Sequence, residues 1–505
     1  MPARKIGLTR TALATPGGGA APAPAGLTPA DLGRGLERIR TELEVPADFP
    51  PEVLAAAERA AASPRLPELD RTDLELVTID PPGAKDLDQA LHIAPGPLGG
   101  FVVSYAIADV AAFVRPGDPV DEEAHRRGAT RYAPDRRTPV HPPVLSEAAA
   151  SLLPDQVRPA LLWTITLDAR GATTDAGVVR ALVRSREQLT YEQAQAELDH
   201  PGPAGPRQSL ALLAQVGPLR QQRERERGGV SLNIPEQEVV PGANGWSLAY
   251  RAPLPVEGWN AQISLLTGMA AAHLMLYGQI GILRAMPPAS ASSLRRLRQT
   301  AKALHIGWPA ELDYPELVRS LDPSRPADAA LLDACTVLFR GAGYVSFDGD
   351  VPEEAEHAAL ASDYTHVTAP LRRLVDRYSG EVCVALCADA PVPDWVRRAL
   401  PALPAEMARA DTAAHRYERA IVDWVEACLL AGRVGEVFTG TLVDVDPEHS
   451  RGVVVLHDPA VEARVRGDVL PLGHDVQVRL TAADPTSGTV SFEAVQRLRP
   501  PAVEA

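Results

Sequence analysis

The chain has 505 residues, of which 65 are acidic and 50 are basic, and its formal net charge is −15. This length exceeds what one hydrophobic core normally serves, so we expect at least two domains. No apolar run approaches the roughly 20 residues that a membrane-spanning helix needs, and the amino terminus lacks a secretory signal. We therefore expect a cytoplasmic protein without a membrane partner.

Cysteine usage excludes two further classes of protein. No pair has the CxxC spacing of a zinc site, and so few cysteines do not suggest a disulfide framework. We expect reduced, buried thiols at all four positions, which are Cys335, Cys383, Cys387 and Cys428.

The amino-terminal part of the chain is predicted to hold a tail and a helical module. Residues 1–26 mix basic side chains with Ala, Pro and Gly and predict a flexible tail. Residues 27–70 predict a small helical module, with Thr28 as a helix cap and an alanine-rich second helix over 52–62. A nucleic-acid-binding hairpin is one interpretation of this module, and a plain packing unit is favoured. The apolar residues of its first helix recur at helical spacing: Leu32, Leu36, Ile39 and Leu43.

An acidic turn follows the first predicted strand. The strand ends on Asp80, and Asp86 and Asp88 come within the next eight positions, before further short strands. Three carboxylates this close repel one another, so a fold that gathers them usually holds a hard divalent cation such as Mg²⁺. A solvated acidic loop is the alternative that spacing alone leaves open.

A basic loop lies over residues 126–137. It contains five arginines, one acid and a central tyrosine, Tyr132. Such a loop can hold phosphates while the aromatic ring stacks on a base, although a solvated basic loop has the same composition.

The rest of the chain predicts a mixed α/β body followed by a barrel. Helical spacing recurs over 263–276, 292–304, 369–386 and 405–430. After Gly432, five short alternating runs predict a five-stranded barrel of the OB type. The chain has no P-loop, Rossmann, HExxH or GxSxG motif, so we expect no nucleotide cofactor.

Taken together, these segments resemble the RNase II (RNB) family of exoribonucleases. The resemblance runs from about residue 74 to the carboxyl end. It is carried by matching stretches in chain order: Thr78–Asp80, Asp86–Asp88, Ala106–Val110, Arg131–Tyr132, Val144–Ser146, Ser151–Leu153, Leu189–Tyr191, Tyr364–Arg373, Glu418–Arg419 and Asp423–Trp424.

The resemblance implies Mg²⁺-dependent hydrolysis of single-stranded RNA from its 3′ end, with release of nucleoside 5′-monophosphates. It also implies an RNB catalytic domain over residues 71–431 and an S1-type RNA-binding domain of the OB fold over 432–500. Protein partners are not predicted by any motif.

The resemblance assigns two Mg²⁺ ions to the acidic turn. Asp80, Asp86 and Asp88 would hold them, and Asp88 would also fix the attacking water. Gln89 stands where many members of the family have another aspartate ligand. Its amide oxygen can coordinate Mg²⁺ but has no charge, so we expect one ion to be held more weakly.

The remaining site residues are assigned from their matches to the family. Arg372, expected in the first turn of a helix, would bind the phosphate as charge develops. Arg373 would be structural or contact another nucleotide. Tyr132 would stack on the terminal base beside Arg131, and Glu418 would contact the terminal ribose or tune Arg372, with a surface salt bridge as the alternative for Glu418.

Two departures from the family leave alternatives open. Gln89 could be an early sign of lost activity, so a catalytically weakened RNA-binding protein is the second hypothesis and a DNA-directed nuclease a weaker third. The amino terminus has helices where bacterial members commonly have two cold-shock barrels, so we expect the RNA entrance to be built differently.

Overall fold

The computed structural model describes most of the chain: residues 29–202, 205, 207–231, 236–242, 245–251, 253–323 and 325–495. The predicted tail over 1–26 and the predicted cap at Thr28 lie outside the described residues. No helix in the described part is long and apolar enough to cross a bilayer.

The strands of the described residues follow one another in chain order. They are β1 (Leu76–Asp80), β2 (Gln89–Pro95), β3 (Phe101–Ala108), β4 (Arg131–Tyr132), β5 (Arg137–Thr138), β6 (Val157–Leu167), β7 (Thr173–Thr190), β8 (Glu236–Gly242), β9 (Gly245–Arg251), β10 (Ile280–Ala285), β11 (Gly343–Asp348), β12 (Glu356–His357), β13 (Ser362–Asp363), β14 (Val437–Asp446), β15 (Arg451–Leu456), β16 (Glu462–Arg466), β17 (Asp475–Asp484) and β18 (Thr489–Ala494).

The α-helices of the described residues lie between and after these strands. They are α1 (Pro29–Glu42), α2 (Pro51–Ala62), α3 (Pro119–Arg127), α4 (Tyr191–Asp199), α5 (Gln208–Arg227), α6 (Pro255–Gly278), α7 (Ala291–Ala303), α8 (Tyr314–Ser320), α9 (Pro326–Cys335), α10 (Leu374–Cys387), α11 (Asp394–Ala399) and α12 (Leu403–Leu430).

Two closed barrels organise the chain. The first has the strand order β1-β2-β3-β6-β7 and closes where β1 pairs parallel with β7. The second has the order β14-β15-β16-β18-β17, with β16 parallel to β18, and closes where β14 pairs antiparallel with β17. The predicted mixed α/β multidomain fold with a five-stranded carboxyl-terminal barrel is therefore confirmed.

The first barrel is covered on both faces along β3. In this strand seven of eight residues are buried, and most of them are apolar or aromatic. One face packs on α6 and α10 through Tyr105 and Trp163, and the other packs on the segment around Leu87 and Leu145. Strands covered on both sides read as continuous apolar runs because neither face meets water.

The two amino-terminal helices belong to different hydrophobic clusters. Leu36 and Ile39 of α1 pack with Trp424 of α12 and with the carboxyl-terminal barrel. Val53 and Ala57 of α2 pack instead with the cluster beneath the first barrel. The predicted domain boundaries stay predictions, and both helices are covered by the body of the protein.

The predicted burial of the cysteines is wrong at one position. Cys335 and Cys383 are buried and Cys428 is half-buried, but Cys387 is exposed. Cys387 is the last residue of α10, where the chain leaves the core.

A short antiparallel pairing joins the basic loop to a distant segment. Residues 128–130 run beside residues 372–374, with Ala129 opposite Arg373. Two hydrogen bonds of 2.9 Å hold the pair, from Thr130 N to Arg372 O and from Leu374 N to Gly128 O. Two parts of the chain that the sequence separates by about 240 residues are thus fixed side by side.

Gly128 makes this pairing possible, and its substitution tests it. Its φ is +67°, and a Cβ atom would lie 2.5 Å from the Cβ of Ala410 on α12. We expect Gly128→Ala to lower the free energy of unfolding through both backbone strain and this overlap. Gly117 has a φ of +75° with open space around it, so Gly117→Ala isolates the strain.

In urea unfolding followed by circular dichroism, Gly117→Ala should cost about 1–2 kcal/mol. Gly128→Ala should cost about 1–3 kcal/mol more, since overpacking adds to the strain. Equal losses would show that the contact with α12 does not constrain this loop.

Candidate active site

The acidic turn is held at one end of the first barrel. Asp80 ends β1 level with Thr190 at the end of β7, and Gln89 begins β2. Between them Leu87 is fully buried, and its N–H donates to Ser151 Oγ at 2.9 Å. Asp86 and Asp88, on either side of Leu87, are therefore carried by a backbone that is fixed by a buried side chain and a buried hydrogen bond.

Asp88 connects the turn to the segment that carries Arg372. Its Oδ1 accepts a hydrogen bond from Leu371 N at 2.7 Å, and its Oδ2 lies 3.5 Å from Arg372 Nε. Asp88 is only 4% exposed, and burial raises the pKa of its carboxyl well above the usual range although Arg372 opposes the shift. Asp88 and Arg372, which the family resemblance assigns to one site, are therefore in contact.

Asp80 faces the same charges. Burial raises the pKa of Asp80 to about 6, Arg372 acts to lower it and Asp86 acts to raise it. Its Oδ2 is buried and has no hydrogen-bond partner among the described residues. The three carboxylates of the turn and Arg372 thus share one electrostatic environment, in which negative charge exceeds positive charge.

Asp86 is paired with a residue to which sequence analysis gave no role. Arg137 Nη1 donates to Asp86 Oδ1, and Arg137 Nε lies 3.3 Å from Glu147. Arg137 was visible as one of the five arginines of the basic loop, but its partner depends on β5 folding back beside Tyr132. It places a positive charge where a metal ligand is expected.

Gln89 forms a crosslink through its amide. Its Nε2 donates to Thr368 O at 2.7 Å, and its Oε1 accepts from Tyr105 Oη at 2.5 Å. Ser264 Oγ lies 3.4 Å from the same Oε1. The assignment of Gln89 as a metal ligand stays a prediction, and the observed contacts tie β2 to β3 and to the segment before Arg372.

Arg372 lies before a helix and not within its first turn, so that prediction is wrong. The helix α10 starts at Leu374, with Arg373 as the preceding residue. The segment before the helix is bound to Asp376. The carboxylate accepts hydrogen bonds from Ala369 N at 2.7 Å and from Arg373 Nε at 2.5 Å. The side chain of Arg372 remains 49% exposed, and that of Asp376 is fully buried.

Tyr132 is the cross-strand neighbour of Arg137, the residue that contacts Asp86. Burial raises the pKa of its hydroxyl to about 12, Arg372 opposes the shift, and Asp86 and Asp88 add to it. The neighbouring Arg131 is half-buried and has no ion pair within the described residues. Its pKa is lowered, first by burial and then by the charge of Arg127.

Tyr191 is a further residue near the cluster that sequence analysis left without a role. Burial raises the pKa of its hydroxyl to about 12, and the charge of Asp80 adds to the shift. It belongs to the Leu189–Tyr191 stretch that carries the family resemblance, so its sequence signal was present.

Two acids lie apart from these contacts. Glu418 is half-buried on α12, where burial raises its pKa and His415 opposes the shift. Among the described residues it makes no ion pair or hydrogen bond with Arg372, and its assignment stays a prediction. Asp109, which follows β3, is buried and accepts a hydrogen bond from Arg180 Nε at 2.9 Å.

The donor set fits a hard divalent cation in its chemistry. Asp80 and Asp88 are buried carboxylates with raised pKa values, and one oxygen of Asp80 has no partner. Within the described ranges, however, no three His, Cys, Asp or Glu side chains are gathered around one point. Asp86 is paired with Arg137, and its assignment as a metal ligand stays a prediction.

Comparisons with known proteins agree on one family. Residues 69–382 match the RNB domain, and residues 436–495 match the RNase II-type exonuclease C-terminal S1 domain. The chain is 28% identical over 319 residues to the exosome complex exonuclease dis3 of Schizosaccharomyces pombe, covering 61% of this chain. It is 25% identical over 512 residues to ribonuclease R of Aquifex aeolicus, covering 92% of this chain.

The fold has a close structural counterpart. Mycoplasma genitalium RNase R in complex with ribose methylated single-stranded RNA matches with a TM-score of 0.81 and 19% identity, covering 92% of this chain and 78% of that one. At this identity the likeness shows the fold alone. The chain spans 33% of the length of the dis3 protein and 70% of the Aquifex aeolicus protein.

The carboxylate cluster predicts stabilisation by Mg²⁺. An ion that binds only the folded chain raises the free energy of unfolding, by about 2.7 kcal/mol at 100 times its dissociation constant. We expect this rise in the parent protein, its reversal by EDTA, and its loss in Asp88→Asn. The asparagine keeps an oxygen that can accept from Leu371 N, so the fold should be retained.

Urea unfolding with and without Mg²⁺ measures this effect. Asp350→Asn removes one exposed carboxylate outside the turn and is the matched control. If Asp88→Asn and Asp350→Asn were stabilised by Mg²⁺ as much as the parent, the ion would bind elsewhere.

Proposed function

Because this chain belongs to the RNB family, we propose that it is a Mg²⁺-dependent exoribonuclease that degrades single-stranded RNA from the 3′ end and releases nucleoside 5′-monophosphates. The contact between Asp88 and Arg372 is the observation that carries the proposal. A carboxylate in contact with a guanidinium can help to hold a phosphodiester between a cation and a forked donor.

Arg372 would stabilise the phosphoryl group as negative charge develops. Its Nε faces Asp88, and with 49% of the side chain exposed the guanidinium retains N–H donors that can reach a ligand. The segment that carries it is fixed by Leu371 N on Asp88 and by Thr130 N on Arg372 O. Such preorganised donors need no rearrangement at the moment of reaction.

Asp80, Asp86 and Asp88 would hold Mg²⁺, which would supply an activated water and positive charge on the phosphoryl oxygens. Arg137 neutralises Asp86 when the ion is absent. Gln89 would orient the segment around Thr368 through its amide. These roles follow from the contacts of each side chain with the cluster.

Tyr132 and Arg131 would receive the 3′-terminal nucleotide. The ring of Tyr132 lies beside the carboxylates and Arg372, where a base attached to the bound phosphate can stack on it. Arg131 has no competing ion pair within the described residues and can contact a phosphate. This arrangement suits a single strand, since a base must leave its stack to reach the ring.

A catalytically weakened RNA-binding protein is the competing proposal, and the site argues against it. Such a protein has no physical need for three buried or half-buried carboxylates beside an arginine, because their desolvation destabilises the fold. Asp80, Asp86, Asp88 and Arg372 are all present and share one environment. We therefore favour the enzyme.

Degradation of end-labelled oligonucleotides tests the proposed reaction. We expect a 5′-labelled RNA to shorten stepwise from its 3′ end with Mg²⁺, and neither the RNA with EDTA nor the matching DNA to be degraded. Asp88→Asn should lower turnover by roughly 10³-fold, since it removes several kcal/mol of charge stabilisation, while RNA binding is retained.

Retention of RNA without cleavage by the parent protein would support the RNA-binding alternative. Equal degradation of DNA would assign the activity to a less selective nuclease. Loss of both binding and turnover in Asp88→Asn would indicate a folding defect, which its circular dichroism spectrum would show.

The adjacent arginines predict opposite phenotypes. Arg373 pairs with the buried Asp376, so Arg373→Gln should lower the free energy of unfolding by about 3 kcal/mol. Arg372 is half exposed, so Arg372→Gln should change stability by less than about 1 kcal/mol. Its turnover should fall by about 10²–10³-fold, the usual effect of removing one transition-state donor.

Urea unfolding and initial rates on the same two variants measure both effects. Each variant is the control for the other, because the substitutions are identical and adjacent. Full activity in Arg372→Gln would contradict the assigned role.

A further inference from the structure

The helix α7 has an unusual charge for this protein. Its thirteen residues include four basic side chains and no acidic one, in a chain whose net charge is −15. The four are Arg295, Arg296, Arg298 and Lys302. None of them has a role in the proposed active site.

The basic side chains are directed outward by the apolar face of α7. Leu297 and Ala301 are buried in a cluster that α7 shares with α8 and α9. Arg295, Arg298 and Lys302 follow the spacing i, i+3 and i+7, so they lie in one row on the opposite side, and all three are exposed. We call this row the basic stripe.

The charges of the basic stripe are not neutralised within the molecule. Among the described residues, none of its three members forms an ion pair with a carboxylate. The guanidinium of Arg298 lies over the ring of Trp308 at 4.4 Å, which fixes its position and leaves its charge unpaired. The stripe is therefore a row of three positive charges without an acidic partner among the described residues, and one of them is held in place by an aromatic ring.

The basic stripe lies beside the carboxyl-terminal barrel. Leu304, which follows α7, packs so tightly on Gly473 that a Cβ there would lie 2.0 Å from Leu304 Cδ2. Val453 on β15 also packs against the α7 cluster, and its cross-strand neighbour Arg464 is exposed. The stripe thus lies on a helix that packs against the barrel, and Arg464 adds an exposed positive charge on the barrel next to this contact.

We propose that the basic stripe binds phosphates of the RNA upstream of the nucleotides held in the active site. The inference rests on the proposed function and extends it to a second contact region. Three contacts in a row suit a polymer of regularly spaced negative charge better than a single anion. The binding would be independent of base sequence, because cations on a helix face read charge and not base edges.

Binding to RNA of two lengths tests this inference. The triple variant Arg295→Gln/Arg298→Gln/Lys302→Gln is compared with the parent by fluorescence anisotropy in EDTA, with a short RNA of about 6 nucleotides and a long RNA of about 25. The long RNA should bind the variant more weakly, and the slope of log affinity against log salt should fall by about 2, since each phosphate contact contributes about 0.7. Affinity for the short RNA should not change.

Two further variants make the result specific. Arg59→Gln/Arg170→Gln/Arg398→Gln removes three exposed positive charges from other parts of the chain and keeps the same net charge as the test variant. Arg295→Gln/Lys302→Gln leaves the packing of Arg298 on Trp308 intact and should reduce the slope by about 1.4.

An unchanged slope for the long RNA, or an equal loss in the scattered control, would overturn the proposal. Failure of the proposed function is recognised separately. In that case the parent protein would not shorten the 6-nucleotide RNA in Mg²⁺, whatever the stripe binds.

Discussion

The hydrogen bond from Leu371 N to Asp88 Oδ1 is the contact on which the candidate site depends. It joins two segments 283 residues apart, is buried, and measures 2.7 Å. A buried carboxylate needs such a donor, because burial without one is costly. The same bond brings the neighbouring Arg372 to within 3.5 Å of Asp88. The contact that satisfies the buried carboxylate therefore also places the guanidinium beside it.

The segment around Arg372 is held from three sides. Gln89 binds Thr368 O, Asp376 accepts Ala369 N, and residues 128–130 pair with 372–374. These bonds satisfy backbone groups that would otherwise be buried without partners, since the segment is not helical. They also bring Tyr132, two residues after the pairing, to the carboxylates. The segment around Arg372 is therefore held in place by the hydrogen bonds that its buried backbone groups need.

The buried carboxylates of the acidic turn repel one another and destabilise the folded chain, and a bound cation would reduce this repulsion. Burial raises the pKa values of Asp80 and Asp88, and Asp86 adds to both shifts. Arg137 and Arg372 compensate part of the negative charge. Elsewhere the opposite imbalance occurs, because the basic stripe on α7 has no acidic partner within the described residues. Both imbalances suit a substrate that combines phosphates with a divalent ion.

The sequence by itself predicted several of the helices and strands, the second barrel and the family. Periodicity and motif spacing are properties of neighbouring residues, which is why the apolar faces of α1 and α12 and the five carboxyl-terminal strands were predicted. The sequence also predicted that Asp88 and Arg372 belong to one site, and the two side chains are in contact. Only the tertiary structure decided that Arg137 neutralises Asp86, that Gln89 is a crosslink and that Arg372 precedes its helix. Those outcomes depend on which distant groups meet in the folded chain, and no local pattern specifies that.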